Sequence, residues 1–201
     1  MLYSNCIFCD IINQINLLSN PVENTVIYED DFFIIVPALG PLYPGHTLII
    51  SKEHVTSISN MSKDSITKCY ELMARIKAFL NQFPCILFSE HGACDEYEAA
   101  GACIIHAHIQ CIPLSDEFDF SNIELFVTED KVNSYFDILN WNKPYLYINH
   151  NGIEKIYLSE AVPSQLIRKM IYASKGRTDW DWRNNRKDDM IKETLELWKG
   201  F

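Results

Sequence analysis

Between Ser62 and Gln82 the apolar residues Ile66, Cys69, Met73, Ile76 and Leu80 recur at intervals of three and four. That spacing puts them on one face of a helix, which Pro84 closes. Shorter segments follow the strand pattern instead. Thr25 to Glu29 and Phe32 to Pro37 are β-branched and aromatic runs turned at Asp30-Asp31, which reads as a hairpin. Pro41 to Gly45 interrupts the chain, and His46 to Ser51, Cys85 to Ser89 and Ile104 to Ile112 read as further strands. Strands, one long packing helix and more strands over residues 1–114 predict an antiparallel α+β unit. Beyond it, Ser121 to Asn140 has no clear period. Tyr145 to Ile148 and Lys155 to Leu158 flank Asn151-Gly152 as a hairpin, while Ser164 to Ser174 and Lys187 to Lys199 read as helices. Residues 115–201 are therefore expected to form a C-terminal extension of hairpin and helices packed on the first unit.

Alternation along the last strand of the first unit brings chemistry with it. In GACIIHAHIQCIP, His106, His108 and Gln110 share one face, and Ile105, Ala107, Ile109 and Cys111 the other. A solvent-facing edge would tolerate three polar groups, but the flanking Ile, Cys and Pro suit a buried strand, where such groups need partners. Two histidines at i and i+2 can hold one metal with an open position, as in a catalytic zinc enzyme. Alternatively, Cys6-Ile7-Phe8-Cys9 supplies two thiolates that, with two histidines, close a tetrahedral structural site. The CxxC spacing alone fits a redox pair or chance equally well.

Composition narrows the class of protein. At 201 residues and 48% hydrophobic content the chain can bury its own core. No apolar run is long enough to span a bilayer and no signal-peptide pattern opens the sequence, so a cytoplasmic protein without membrane contact is expected. Seven cysteines without a secretion signal read as thiols or ligands; Cys69, Cys85, Cys103 and Cys111 sit among apolar residues and receive no role. A net charge of −10 argues against a broad nucleic-acid surface. Residues 168–201 are locally basic, with 9 Lys and Arg against 6 Asp and Glu, which is either a solvated helix face or a cover bringing positive charge to an anionic substrate.

The residues CIFCDII, VIYEDDFFIIVPALGPLYPGHTLIISKEHV, FSEHG and GACIIHAHIQCIP, in that order over roughly 5–114, resemble the histidine triad (HIT) superfamily. The resemblance implies a HIT-like fold, often a homodimer, acting at the α-phosphate of a nucleotide or nucleotide conjugate. It implies a structural zinc ion held by Cys6, Cys9, His54 and His106. It also implies His108 as the nucleophile that forms a nucleotidyl-histidine, with an acceptor, expected to be a backbone carbonyl, fixing its tautomer. Glutamine in the third place, Gln110, is similar to the branch of galactose-1-phosphate uridylyltransferase and diadenosine tetraphosphate phosphorylase, and leans toward transfer. A carboxamide donates hydrogen bonds to a phosphoryl oxygen but moves no proton near neutral pH.

Ala38 stands where many nucleotide-binding members place an acidic residue for the ribose hydroxyls, so nucleoside recognition departs from the pattern here. Lys52, His91 and Arg168 are candidate substrate contacts, Lys52 being on the face of His54 if its strand continues. The loop after His91 is long and acidic, and Trp180 and Trp182 read as packing residues. The leading expectation is a nucleotidyltransferase or nucleotide hydrolase. The alternatives are a zinc-stabilised nucleotide-binding module without turnover and an open-site zinc hydrolase.

Overall fold

A computed structural model describes residues 6–92, 104–115, 118–127, 131–159 and 162–201. The chain runs α1 (Ile7–Asn13), β1 (Tyr28–Glu29), β2 (Phe33–Pro37), β3 (Thr47–Ser51), α2 (Lys63–Phe79), β4 (Cys85–Gly92) and β5 (His108–Leu114). It continues with β6 (Lys131–Val132), β7 (Tyr145–His150), β8 (Ile153–Tyr157), α3 (Leu166–Ser174) and α4 (Asp188–Leu197). The eight strands of the described residues join one antiparallel sheet in the order β1-β2-β3-β5-β4-β7-β8-β6. The antiparallel α+β class read from the pattern is the one found.

Helix α2 lies where its period places it. The Ser62 hydroxyl accepts from the Ser65 N–H at 3.1 Å and caps it. Ile66, Cys69, Met73 and Ile76 bury their stripe against Ile35, Ile49, Phe88 and Ile109 on one face of the sheet. The opposite face is covered in two places. Helix α1 packs Phe8, Cys9 and Ile11 on Ile34, Val36 and Ile50, and α3 packs Leu166, Ile167 and Ile171 near Leu87, Ile112, Leu146 and Ile148. Between α1 and α3 the sheet face is left open, and β5 crosses that gap.

The hairpin β7–β8 turns at Asn151 (φ 54°) and Gly152 (φ 82°), positive φ at both central positions as its tight turn needs. Ser121–Leu125 and Tyr135–Ile138 are short 3₁₀ turns before and after β6. Helix α1 is seven residues long, too short for a periodic signal.

One expectation needs correction. The fifth strand starts at His108, not at Ile104. The Ala107 N–H donates to the Val55 carbonyl at 2.7 Å, and the Ala107 carbonyl accepts from the Ser51 N–H at 3.1 Å, so this segment pairs with the end of β3 and the loop beyond it. His106 is thereby released from the strand's alternation and turns toward α1.

The extension is tied to the loop that follows β2. Gly40 N–H donates to the Arg186 carbonyl at 2.9 Å, the Tyr172 hydroxyl to the Leu42 carbonyl at 2.8 Å, and Gly45 N–H to the Thr194 hydroxyl at 2.9 Å. The Arg168 guanidinium also donates to the Gly40 carbonyl. No helix among the described residues is long and apolar enough to cross a membrane.

Candidate active site

His106 faces a cluster of sulfur and nitrogen donors. Cys6 precedes α1 and Cys9 lies in its first turn, so both thiols emerge at one end of that helix. Cys6 Sγ is 3.4 Å from His106 Nδ1, Cys9 Sγ is 3.6 Å from the same nitrogen, and Cys9 Sγ is 3.1 Å from His54 Nδ1. All four donor atoms lie within 4.8 Å of one another. Tetrahedral zinc with Zn–S near 2.3 Å and Zn–N near 2.0 Å sets sulfur and nitrogen ligands roughly 3.6 Å apart, so the donor set fits such an ion. His106 Nε2 donates to the Ser51 carbonyl at 2.7 Å, which leaves the Nδ1 lone pair for the cluster. Burial, assisted by the neighbouring His54 and His108, lowers the His106 pKa to about 4, and burial followed by contact with Cys6 raises Cys9 to about 12. A metal bound here would take the cysteines as thiolates and release their protons.

His108 takes no part in that cluster. Its Nδ1 donates to the His106 carbonyl at 2.7 Å, which supplies the backbone acceptor expected from the sequence and leaves the Nε2 lone pair unprotonated. Burial lowers its pKa, and the Phe8 ring packs edge-on against it at 5.1 Å. The open-site arrangement, with both histidines on one metal, is not the geometry present.

His108 and Gln110 open into a cavity of about 90 Å³ on the sheet face between α1 and α3. Its apolar walls include Phe8, Leu48, Ile104, Leu146 and Ile167, and its polar lining is Ser89, His91, His108, Gln110, Gln165 and Arg168. Ser89 pairs directly with Gln110 across β4 and β5, and so shares its face. Beside Gln110 lies His46, fully buried, whose Nδ1 accepts from the Leu42 N–H at 3.1 Å and whose pKa burial holds well below the usual histidine value.

The sequence-derived candidates separate here. His91 and Arg168 line the cavity with His108 and Gln110. Arg168 is buried, its Nε donating to the Trp180 carbonyl at 3.0 Å. Lys52 is elsewhere: β3 ends at Ser51, and the Lys52 ammonium meets Glu29 at 2.8 Å and the Asp30 carbonyl at 3.0 Å. Ala38 lines the cavity, as does Trp182, which the sequence assigned to packing. Cys69, Cys85 and Cys111 are buried as expected, whereas Cys103 and the acidic loop over 93–100 lie outside the described residues. Ser89 and Phe8 were not among the sequence-derived candidates. Only Ser89 had a legible signal, since pairing FSEHG against HAHIQ sets it beside Gln110.

Comparison with known proteins finds HIT proteins. The HIT domain family profile matches residues 20–117. An uncharacterized HIT-like protein of Borreliella burgdorferi is 33% identical over 122 residues, covering 58% of this chain and 81% of the relative. The asymmetrical bis(5'-nucleosyl)-tetraphosphatase of Schizosaccharomyces pombe is 24% identical over 181 residues, 90% of each chain. A HIT family hydrolase from Clostridium thermocellum, known from its structure, is 25% identical over 59% of this chain and 97% of its own, with a TM-score of 0.44.

Proposed function

The chain belongs to the HIT family, and we propose that it is a nucleotidyltransferase or nucleotide hydrolase that works through a covalent adduct on His108. The observation that carries this is the hydrogen bond from His108 Nδ1 to the His106 carbonyl, which leaves a neutral imidazole with its Nε2 lone pair available in a cavity also lined by Gln110. In the first step Nε2 attacks the α-phosphorus of a nucleotide conjugate, a P–N bond forms, and the P–O bond to the leaving phosphate breaks. Positive charge then spreads over the ring to Nδ1–H, where the His106 carbonyl stabilises it. In the second step an acceptor oxygen attacks phosphorus and the P–N electron pair returns to the imidazole. Gln110 donates to a phosphoryl oxygen throughout. The S. pombe relative is a bis(5'-nucleosyl)-tetraphosphatase, which supports a substrate in which a nucleoside phosphate is joined to further phosphates.

Cys6, Cys9, His54 and His106 are proposed to hold zinc. Four protein ligands leave no open position, so the ion is structural, and its effect on the reaction is to fix His106 and through the carbonyl of that residue the ring of His108.

The test is intact-protein mass spectrometry after mixing with a panel of nucleoside di- and polyphosphates. A mass increase equal to one nucleoside monophosphate is expected, absent in His108→Ala, along with a loss of turnover on the order of a thousandfold or more. Zinc content and folding should be retained in that variant. Full activity in His108→Ala would overturn the mechanism, and loss of zinc would revive the open-site arrangement.

A further inference from the structure

The carboxamide of Gln110 can be seated in two ways. Its oxygen and nitrogen are nearly equal in size, and half a turn about the last side-chain bond exchanges them. With the nitrogen toward the cavity it donates to a phosphoryl oxygen; with the oxygen there, acceptor meets acceptor. The productive seating needs a donor behind Gln110 that holds the amide oxygen.

His46 is placed to be that donor. The β2–β3 ladder runs one pair beyond Pro37 and Thr47, the Ala38 N–H donating to the His46 carbonyl at 3.0 Å. Leu48 stands opposite Gln110, and His46, two residues earlier, emerges on the same side of the sheet. The His46 ring is fully buried and faces the Gln110 side chain. Its Nδ1 accepts from the Leu42 N–H at 3.1 Å, so a neutral ring carries its proton on Nε2. Burial, with the charges of Arg168 and Lys187 nearby, keeps that ring neutral. Among the described residues Nε2 completes no hydrogen bond of good geometry, although a buried N–H is costly to leave unsatisfied. The peptide that sets the tautomer is itself fixed from the extension, because the Leu42 carbonyl accepts from the Tyr172 hydroxyl of α3 at 2.8 Å.

We propose that His46 is a positioning residue, whose Nε2–H holds the Gln110 amide oxygen and so turns the carboxamide nitrogen toward the phosphoryl group. The role in turnover rests on the contact between Gln110 and substrate assigned above; the seating of the carboxamide can be read without any substrate. His46 touches no reacting atom. Through Leu42 and His46, helix α3 acts on the third member of the triad from behind the strand.

Two variants of the full chain separate this role from simple packing. Asparagine puts its carbonyl oxygen near the place of Nδ1, so His46→Asn keeps an acceptor for the Leu42 N–H and has nothing at Nε2. Glutamine puts its amide nitrogen near the place of Nε2, so His46→Gln keeps the donor and gives up the Leu42 contact. With a nucleoside polyphosphate at saturation, His46→Asn should form the adduct about tenfold more slowly than wild type, with KM changed about twofold or less. His46→Gln should recover most of that rate. In a Gln110→Ala background the two variants should react equally fast, since the group being positioned is gone. Equal rates in the Gln110 background, the reverse order, or the same difference persisting in Gln110→Ala would each overturn the proposal. Nitrogen-15 NMR without nucleotide supplies a readout independent of turnover. The His46 ring should be neutral with its proton on Nε2, and the Gln110 carboxamide resonances should move in His46→Asn more than in His46→Gln. A proton on Nδ1 would overturn the positioning role whatever the kinetics. If wild type formed no adduct with any nucleotide, the His108 mechanism would fall, and the NMR outcome would still decide the contact between His46 and Gln110.

Discussion

At the residue scale, the difference between a transferase and a hydrolase comes down to Gln110. Water attacking the adduct must lose a proton, and an imidazole in this position can take it, whereas a carboxamide cannot. A phosphate acceptor arrives already ionised and gains little from a base. Gln110→His should therefore raise the ratio of hydrolysed to transferred nucleotide, by roughly tenfold or more on the scale of general-base effects. The measurement is product partitioning at a fixed phosphate concentration in wild type and variant. The surroundings suit the substitution, since Leu48 and Ser89 flank the position on neighbouring strands and the cavity lies above it. An unchanged ratio would place control of the outcome in acceptor binding, with Gln110 only positioning the phosphate.

At the element scale, α1 links the metal ligands to the nucleophile. Cys9 sits in its first turn and Phe8 beside it touches the rings of both His106 and His108, at 5.7 Å and 5.1 Å. Cys9→Ser should leave a weak oxygen donor in a Cys2His2 set. The expected outcome is loss of about one zinc per chain, a drop in melting temperature on the order of 5 °C, and a fall in turnover although Cys9 touches no substrate. Metal analysis and a chelator-dependent melting curve check this; a metal-free wild type unaffected by chelator would refute the ligand assignment. How much of this was readable follows from the elements themselves. Helix α2 showed in the sequence because 17 residues carry several repeats of its stripe, and β2, β3 and β4 because their apolar runs are bounded by turn residues. Helix α1 was invisible as a helix: seven residues hold barely two turns, and its stability comes from burying Phe8, Cys9 and Ile11. The HAHIQ alternation was legible from Gln110 back to His108 and failed at His106, where tertiary contacts with Ser51 and Cys6 replace the strand geometry. Lys52 was misplaced for the same kind of reason, because β3 stops one residue before it.

At the scale of the whole molecule, the extension and the HIT region share both a sheet and a wall of the site. Strand β7 pairs with β4 from Leu87 to Gly92, so the central sheet continues without a break into the extension. The other connection is the clamp on the loop after β2. Gly40 has φ +58°, which is left-handed, and a Cβ built there would lie 2.2 Å from the Asn185 carbonyl oxygen and 3.0 Å from Trp182 Cα. Gly40→Ala therefore faces both backbone strain and a collision with main chain that has no flexible end to bend away. The segment carrying Trp182 must retreat, and with it the cover over the cavity that also holds Arg168 through the Gly40 carbonyl. The variant should lose about 2 kcal/mol or more of stability in urea unfolding, with increased solvent exposure of tryptophan fluorescence under native conditions. Adduct formation, which needs only the imidazole and the neighbouring strands, should suffer less than transfer to an acceptor that enters against the α3 wall of the cavity. Equal loss of both would mean that the clamp serves to hold the sheet together, and that the wall of the cavity has no separate part in choosing the acceptor.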